Sequence, residues 1–193
     1  MPETFFQTHH SDDVMVLRFR SQDGTNRLTH ACVVALTEKV KELRESGAGL
    51  VIAGNDKFFS AGAELQEISA LTGRGAYAFA RSGQNLMAEI ESFPAPVYAA
   101  ISGYCMGGGL DLALACHRRI AAPNAVFGHR GTALGLITGW GGTQRLARLI
   151  GKAQALAIFV AAEKIDAGNA QRLGLVDAIA EDPVGEANRR LRR

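Results

Sequence analysis

Two segments of the chain combine a short apolar run with a turn rich in glycine and alanine. Leu50–Ala53 leads into NDKFFSAGAE, and Val97–Ile101 leads into GYCMGGGLD. Three glycines, Gly107–Gly109, allow close approach of another molecule, and the first turn of a following helix has unpaired N–H groups at its positive end. One of these N–H groups and a second N–H from the loop at Ala63 would together form an oxyanion hole. Such a hole stabilises an oxygen that gains negative charge by roughly 3 to 4 kcal/mol per donor.

A triple glycine before a helix has two other common explanations, tight packing and a phosphate-binding turn, and its spacing leaves all three open. FFSAG has Phe58 where a GxSxG nucleophile motif has its first glycine. Cys105 has no visible histidine partner, so a small buried thiol is its commoner role. GYCMGGG differs from GxGxxG, and no GxxxxGKS/T occurs, so neither a dinucleotide nor a nucleoside triphosphate site is indicated.

Hydrophobic periodicity places both segments in a chain of alternating strands and helices. The segments Phe5–His9 and Val14–Arg20 flank an acidic turn at Ser11–Asp13 and predict a hairpin near a sheet edge. Helices are predicted at Thr29–Arg44, Tyr77–Phe93, from GGGLDLALA onward, and at Thr143–Leu149, Lys152–Ala162, Asp166–Arg172 and Pro183–Arg193. Further strands are predicted at 50–53, 97–101, Arg118–Ala121, Ala125–Gly128 and Val176–Ile179, and a loop at Gly54–Ala63. Strands separated by such helices favour parallel pairing with both sheet faces covered, an α/β class.

The composition predicts one domain over residues 1–193, because 193 residues with 47% hydrophobic content suffice for one core and are short for two. A net charge of only +2 indicates neither a nucleic-acid nor a membrane partner. Three cysteines without CxxC spacing argue against a disulfide framework and a zinc ribbon, and they favour a reducing, cytoplasmic location. The first residues lack a basic region followed by an apolar run, so secretion is not expected.

Several ordered segments resemble the enoyl-CoA hydratase/isomerase (crotonase) family. They are FFSAGAEL, PAPVYAAISGYCMGGGLDLALACHRRIAAPNAVFG, LGLITGWGGTQRLARLIGKAQAL and NAQRLGLVDAI, and the likeness extends from about Val14 to Ile179. The resemblance implies an α/β, crotonase-like (ClpP/crotonase) spiral of ββα units and a homotrimer or hexamer. Family members usually continue past the GLV segment into further helices. Most of that C-terminal helical extension is therefore expected to be absent, either in a short member or in a trimmed chain.

The same resemblance implies an acyl-CoA substrate, with coenzyme A as part of the substrate and neither a separate cofactor nor a metal. The positions that supply the oxyanion N–H groups in the family are Ala63 and Gly108 in this chain. The family holds coenzyme A near the first segment, with the adenine end close by. The expected substrate contacts, besides Ala63, are Ala61, Glu64, Leu65, Gln66 and Gly107.

Family hydratases use two glutamates, and this chain departs from the pattern at both positions. Asp111 stands at the first, where a carboxylate one methylene shorter reaches more than about 1 Å less far. The alternative is that Asp111 only charges the first turn of its helix. Gly131, in FGHRGTALG, stands at the second, and no carboxylate replaces it. Because each proton transfer by a positioned side chain contributes about 10² to 10⁴-fold, hydratase and isomerase activities are both weakened.

Two other side chains near Gly131 are candidates for the site. His129 lies two residues earlier and would carry a proton near neutral pH. If the preceding strand continues, this offset keeps both residues on one face. The alternative is a surface or hydrogen-bonded histidine beside Arg130. Trp140, in GWGGTQRL, is a candidate for the core, a subunit interface or an acyl pocket, and the first two are favoured.

Two hypotheses of different classes follow. The first is an enzyme that stabilises a thioester enolate with Asp111 as its remaining carboxylate, an enoyl-CoA hydratase or isomerase as used in fatty acid metabolism. An acyl-CoA decarboxylase or thioester hydrolase stays open, since both need the oxyanion hole but another proton carrier. The second is an acyl-CoA-binding homologue without catalysis, which Gly131 motivates.

Overall fold

The computed structural model describes residues 5–11 and 14–192, which form strands and helices in alternation. The strands are β1 (Phe6–Ser11), β2 (Val14–Phe19), β3 (Arg27–Leu28), β4 (Gly49–Ala53), β5 (Phe58–Ser60), β6 (Gly62–Ala63), β7 (Val97–Ile101), β8 (Tyr104–Met106), β9 (Arg118–Ala121), β10 (Val126–Gly128), β11 (Ile165–Asp166) and β12 (Ala178–Ile179). The helices are α1 (His30–Arg44), α2 (Leu65–Ser69), α3 (Gly73–Glu91), α4 (Gly108–Ala115), α5 (Gly142–Ile150), α6 (Lys152–Ala161), α7 (Ala167–Arg172) and α8 (Pro183–Leu191).

The strands form sheets ordered β1-β2-β4-β7-β9-β12, β11-β10-β8-β5 and β3-β6. In the largest sheet only the β1–β2 pair is antiparallel, which is the predicted hairpin at an edge. The successive pairs β4–β5, β7–β8 and β9–β10 each give one strand to the six-stranded sheet and the next to the four-stranded sheet, and a helix follows each pair. The α/β class and the predicted spiral of ββα units are therefore confirmed.

The two faces of the largest sheet are buried by different layers. Leu17, Ile52 and Ile101 belong to the main core together with apolar residues of α1, α3 and α4. Alternate residues such as Val16 and Val51 point to the opposite face, where α8 covers them. This two-residue alternation is what a sheet covered on both sides requires.

Local sequence signals explain most of the helix boundaries. The Thr29 side chain accepts a hydrogen bond from Cys32 N and begins α1. The apolar repeat Val33, Leu36, Val40 and Leu43 is buried along one face of this helix. Thr72 caps α3 in the same way through Gly75 N, so this helix begins at Gly73 rather than at the predicted Tyr77.

Several short elements differ from the predictions. The loop prediction for Gly54–Ala63 is wrong in part, because this segment contains β5 and β6. The predicted strand Val176–Ile179 is shortened to β12.

Some predictions are not tested by the structure. The turn residues Asp12 and Asp13 and the helix end at Arg193 lie outside the described residues, and the single domain over residues 1–193 stays a prediction. Within the described residues, no helix combines the length and the apolar character needed to cross a membrane.

Candidate functional site

A cavity of about 450 Å³ lies where the two predicted segments meet. Its walls come from β6 and α2, from α3, from the start of α4, and from a loop of residues 129–140 that we call the 129–140 loop. Most lining side chains are apolar; apart from Trp140, those with polar groups are Asp111, His129, Arg130 and Thr138. The volume and the few polar groups are typical of a small-molecule site.

One wall of the cavity consists of backbone from β6 and the start of α4. A β-carbon at Gly62 would lie 2.6 Å from Met106 O and 3.0 Å from Gly108 N, and the φ angle of Gly62 is +93°, so this contact requires glycine. Gly107 is the N-cap of α4 and precedes first-turn N–H groups that have no acceptor within the helix. The loop at Ala63 and the positive end of α4 thus lie side by side.

Trp140 packs against this backbone wall. A β-carbon at Gly108 would lie 2.4 Å from Trp140 Cζ3 and 3.3 Å from Ala63 N. The indole is 4% exposed, its ring centroid is 5.2 Å from that of Phe79, and a β-carbon at Gly83 would lie 2.1 Å from its Nε1. Of the two favoured roles, core or subunit interface, the structure shows the core, and the same ring also lines the cavity.

Asp111 is a buried carboxylate in which one oxygen is hydrogen-bonded and the other, also buried, has no hydrogen-bond partner among the described residues. The residue is 2% exposed, and its Oδ2 accepts a hydrogen bond from Thr138 Oγ1. Its Oδ1 has no hydrogen-bond partner in the part of the chain that the structure describes. The carboxylate therefore bonds to the 129–140 loop and not to the first turn of its own helix, which weakens the alternative of a simple helix-charging role.

His129 is buried beside Asp111 and not at the surface. It is 7% exposed, and its Nε2 lies 3.8 Å from Asp111 Oδ1, beyond hydrogen-bond distance. Nε2 has no hydrogen-bond partner among the described residues, and the ring packs on Phe159 at 5.3 Å between centroids. Of the alternative, a surface or hydrogen-bonded histidine, the surface part is therefore wrong.

The predicted reason for the common orientation of His129 and Gly131 is also wrong. Strand β10 ends at Gly128, and Gly131 has a helical φ of −55° at the start of a 3-10 turn, so no strand carries the two residues. Both nonetheless line the cavity, because the loop bends over it.

At two glycines near these groups, a side chain would come too close to a neighbouring oxygen atom. A β-carbon at Gly131 would lie 3.4 Å from the His129 ring and 2.9 Å from Leu136 O. A β-carbon at Gly142, the first residue of α5, would lie only 1.9 Å from Asp111 Oδ1. Gly142 therefore serves the contact between α5 and a side chain of α4.

The predicted substrate contacts divide into two groups. The cavity is lined by Ala61, Ala63, Leu65 and Gly107. Glu64 and Gln66 lie outside this lining, and the Glu64 side chain instead accepts a hydrogen bond from Gln66 N at the start of α2. Glu64 also lies 3.5 Å from Arg27 Nε. A role of these two residues toward coenzyme A stays a prediction.

Comparison with known proteins places the chain in a family. The family model described as enoyl-CoA hydratase/isomerase matches residues 9–192. The chain belongs to this family. A Bacillus subtilis protein named "Probable enoyl-CoA hydratase" is 47% identical over 142 residues, which are 72% of this chain and 55% of that protein. The chain thus spans about half the length of this curated relative.

Solved structures of the family agree with the fold. Pseudomonas aeruginosa DspI superposes with a TM-score of 0.93 at 29% identity, covering 100% of this chain and 75% of that one. The enoyl-CoA hydratase from Bacillus anthracis superposes with a TM-score of 0.88 at 31% identity, covering 97% of this chain and 73% of that one. These are crotonase-fold proteins, as the sequence resemblance implied.

Within this family fold, Thr138 is the site residue that sequence reasoning missed. It lies 27 positions after Asp111 and directly follows Leu136 and Ile137, so no motif joins the two. The available signal is its place in LGLITGWGG, two residues before Trp140, for which an acyl pocket is one of three candidate roles. A hydroxyl in such an apolar stretch is expected to be buried and therefore to have a hydrogen-bond partner.

Proposed function

We propose that this protein binds an acyl-CoA thioester and stabilises its enolate, with the N–H groups of Ala63 and Gly108 as an oxyanion hole. The observation that carries the proposal is the meeting, in one apolar cavity, of this backbone wall with two buried proton-exchanging groups, Asp111 and His129. Family membership supports an acyl-CoA substrate, and the hydration of an enoyl-CoA is the reaction that fits these groups best.

The hydration step uses each group once. A water molecule attacks the β-carbon while Asp111 Oδ1 takes one of its protons. The electron pair of the double bond moves toward the thioester carbonyl, whose oxygen becomes the enolate that Ala63 N–H and Gly108 N–H stabilise. Protonated His129 then donates its proton to the α-carbon, and the product carries one added H and one added OH. Asp111 returns its proton to His129 for the next cycle.

His129 takes the second proton-transfer role in this proposal because of the identity and position of its neighbours. Gly131 supplies no side chain, and Arg130, the remaining ionisable residue of the described lining, holds its proton too firmly to exchange it. His129 Nε2 lies 3.8 Å from Asp111 Oδ1, so both groups can face the same two substrate carbons. An imidazole is suited to both donation and acceptance near neutral pH.

The apolar part of the cavity suits the hydrocarbon portion of the acyl group. Its lining includes Leu65, Ile68, Leu71 and Phe79 on one side and Leu134 on the 129–140 loop. Coenzyme A is part of this proposed substrate, and no separate cofactor is required by the chemistry. Assembly into a homotrimer or hexamer, a cytoplasmic location and a role in fatty acid metabolism remain parts of the proposal.

Turnover of crotonyl-CoA and longer enoyl-CoAs tests the proposal. We expect hydration by the wild-type protein and a decrease in kcat of about 10² to 10⁴-fold in Asp111→Asn and in His129→Gln, since each removes one proton transfer. The matched controls are Asp56→Asn and His10→Gln, which change exposed residues outside the cavity lining.

The outcomes separate the competing functions. Tight acyl-CoA binding by calorimetry without turnover of any thioester would favour a non-catalytic binding homologue. Release of free coenzyme A or of carbon dioxide from acyl-CoAs, without hydration, would favour a thioester hydrolase or a decarboxylase. Full activity in Asp111→Asn would contradict the proposed mechanism.

A further inference from the structure

The hydroxyl of Thr138 is bound to a carboxylate that the proposed chemistry needs. Thr138 Oγ1 donates to Asp111 Oδ2, and Thr138 itself lines the cavity from the 129–140 loop. Neither the sequence motifs nor the comparisons assign a role to this threonine. The contact joins α4 to a loop 27 positions further along the chain.

Asp111 is buried and packs against the backbone of Gly142, but among the described residues Thr138 provides the one hydrogen bond to its carboxylate. The terminal torsion of an aspartate is broad, so packing alone sets the directions of its two oxygens poorly. Oδ1 makes no hydrogen bond within the described residues, and Gly142 approaches it without a side chain. The bond from Thr138 to Oδ2 is therefore the polar contact that fixes the plane of the carboxylate.

We propose that Thr138 is a positioning residue that holds Oδ2 of Asp111 so that Oδ1 faces the reacting water. This inference rests on the proposed function, because it deepens the role of Asp111 in that site. Thr138 does not contact the reacting atoms in this scheme. Its hydroxyl acts through the carboxylate and sets the distance and angle at which the proton of the water is taken.

The loop would keep its place without the hydroxyl. Gln84 Nε2, on α3, donates to Gly139 O at 2.8 Å, and Trp140 is buried against Gly83 and Gly108. Removal of the Thr138 hydroxyl should therefore release the carboxylate while the cavity walls remain. This separation makes a positioning role distinguishable from a structural one.

Thr138→Val tests the proposal because it keeps the shape of the side chain and removes the donor. We expect kcat for an enoyl-CoA to fall about 10²-fold, the scale expected when a catalytic group is misplaced by 1 Å. The Kd for a saturated acyl-CoA, measured by calorimetry, should stay near the wild-type value, since the cavity is unchanged. Thr138→Ser restores the donor and should recover most of the lost kcat.

Thr143→Val is the matched control, because Thr143 lies five residues later on α5 and is not in the cavity lining. It should leave kcat unchanged. The inference is overturned if Thr138→Val keeps the wild-type kcat, if Thr138→Ser fails to recover activity, or if Thr143→Val loses as much. Absence of turnover in the wild-type protein would instead contradict the proposed function. In that case, a crystal structure of Thr138→Val still decides the inference, since an unrotated Asp111 carboxylate would refute it.

Discussion

At the scale of single residues, the site depends on side chains that are absent as much as on those present. Gly131 stands where the resemblance implies a glutamate, and a β-carbon there would lie 3.4 Å from the His129 ring. Gly142 likewise leaves the space that Asp111 Oδ1 occupies. A side chain at position 142 would collide with the Asp111 carboxylate, and one at position 131 would press on the carbonyl oxygen of Leu136, 2.9 Å away, whereas its distance from the His129 ring is an ordinary contact.

Burial also determines the chemistry of the cysteines behind the site. Cys105 and Cys116 are buried, and burial raises the pKa of the Cys105 thiol well above its ordinary value and that of Cys116 to about 12. A thiol that stays protonated is a poor nucleophile. This agrees with the view that Cys105 is a small buried thiol and not a catalytic group.

The raised pKa of Cys116 predicts a pH dependence of stability. The unfolded thiol ionises near its ordinary value of 9.0 and the folded thiol near 12, so the folded state loses its advantage as pH rises through this interval. We expect this thiol to lower the free energy of unfolding by up to about 1.4 kcal/mol per pH unit between these values, and Cys116→Ala to remove that contribution. Urea unfolding at a series of alkaline pH values measures it. Equal slopes for both proteins would contradict the burial of this thiol.

At the scale of elements, the sequence predicts helices and strands that are long enough for several repeats of hydrophobic periodicity. Helix α1 could be predicted because four buried apolar residues repeat over its length and Thr29 begins it. The strands β5, β6, β8 and β11 are two or three residues long, too short for a period to show. The first turn of α3 contains Gly73 and Gly75, which are poor helix formers, so the sequence pattern places the start of this helix too late. The cap at Thr72 sets the observed start.

The candidate site shows the same limit. Ala63, Gly108 and Asp111 could be predicted because they lie in ordered segments that resemble the family. The 3.8 Å approach of His129 to Asp111 and the bond from Thr138 could not, since both depend on how the 129–140 loop bends after β10 ends. Contacts between distant parts of a chain leave no local pattern in its sequence.

Gly83 in α3 offers a test of how one helix is fitted to Trp140. Helix propensity alone predicts that Gly83→Ala stabilises the protein by about 1 kcal/mol. A β-carbon at this position would lie 2.1 Å from Trp140 Nε1, so we expect the clash to prevail and the free energy of unfolding to fall by about 1 to 3 kcal/mol.

Gly73→Ala is the control for this change, because nothing lies within 4 Å of a β-carbon at the start of α3. It should be neutral or stabilising by up to about 1 kcal/mol. Urea unfolding of the two variants measures both effects. A stabilising Gly83→Ala would show that the indole can move away from α3 at little cost.

At the scale of the whole molecule, a buried arginine joins the site helix to the last third of the described chain. Arg119, on β9, is 4% exposed, and burial lowers the pKa of its guanidinium while Asp177 opposes that shift. Its Nε donates to Leu175 O at 2.8 Å, and its Nη1 donates to Cys116 O at 2.8 Å. One side chain thus holds the end of α4 and the segment before β12.

Arg119→Lys tests this connection, because lysine keeps the charge but cannot donate in two fixed directions from a planar group. We expect the free energy of unfolding to fall by about 2 to 4 kcal/mol, since buried carbonyl groups lose their donors. Arg118→Lys is the matched control on the adjacent residue: its side chain is 60% exposed and pairs with the same Asp177, so the loss should stay below about 1 kcal/mol. Urea unfolding compares the two variants. Similar losses of unfolding free energy would show that the hydrogen bonds of the buried guanidinium contribute nothing beyond its charge. Arg119 binds the C-terminal end of α4, whereas Gly108 and Asp111 lie in its first turn. We therefore expect Arg119→Lys to lose activity on heating at the temperature at which it unfolds, and not below it.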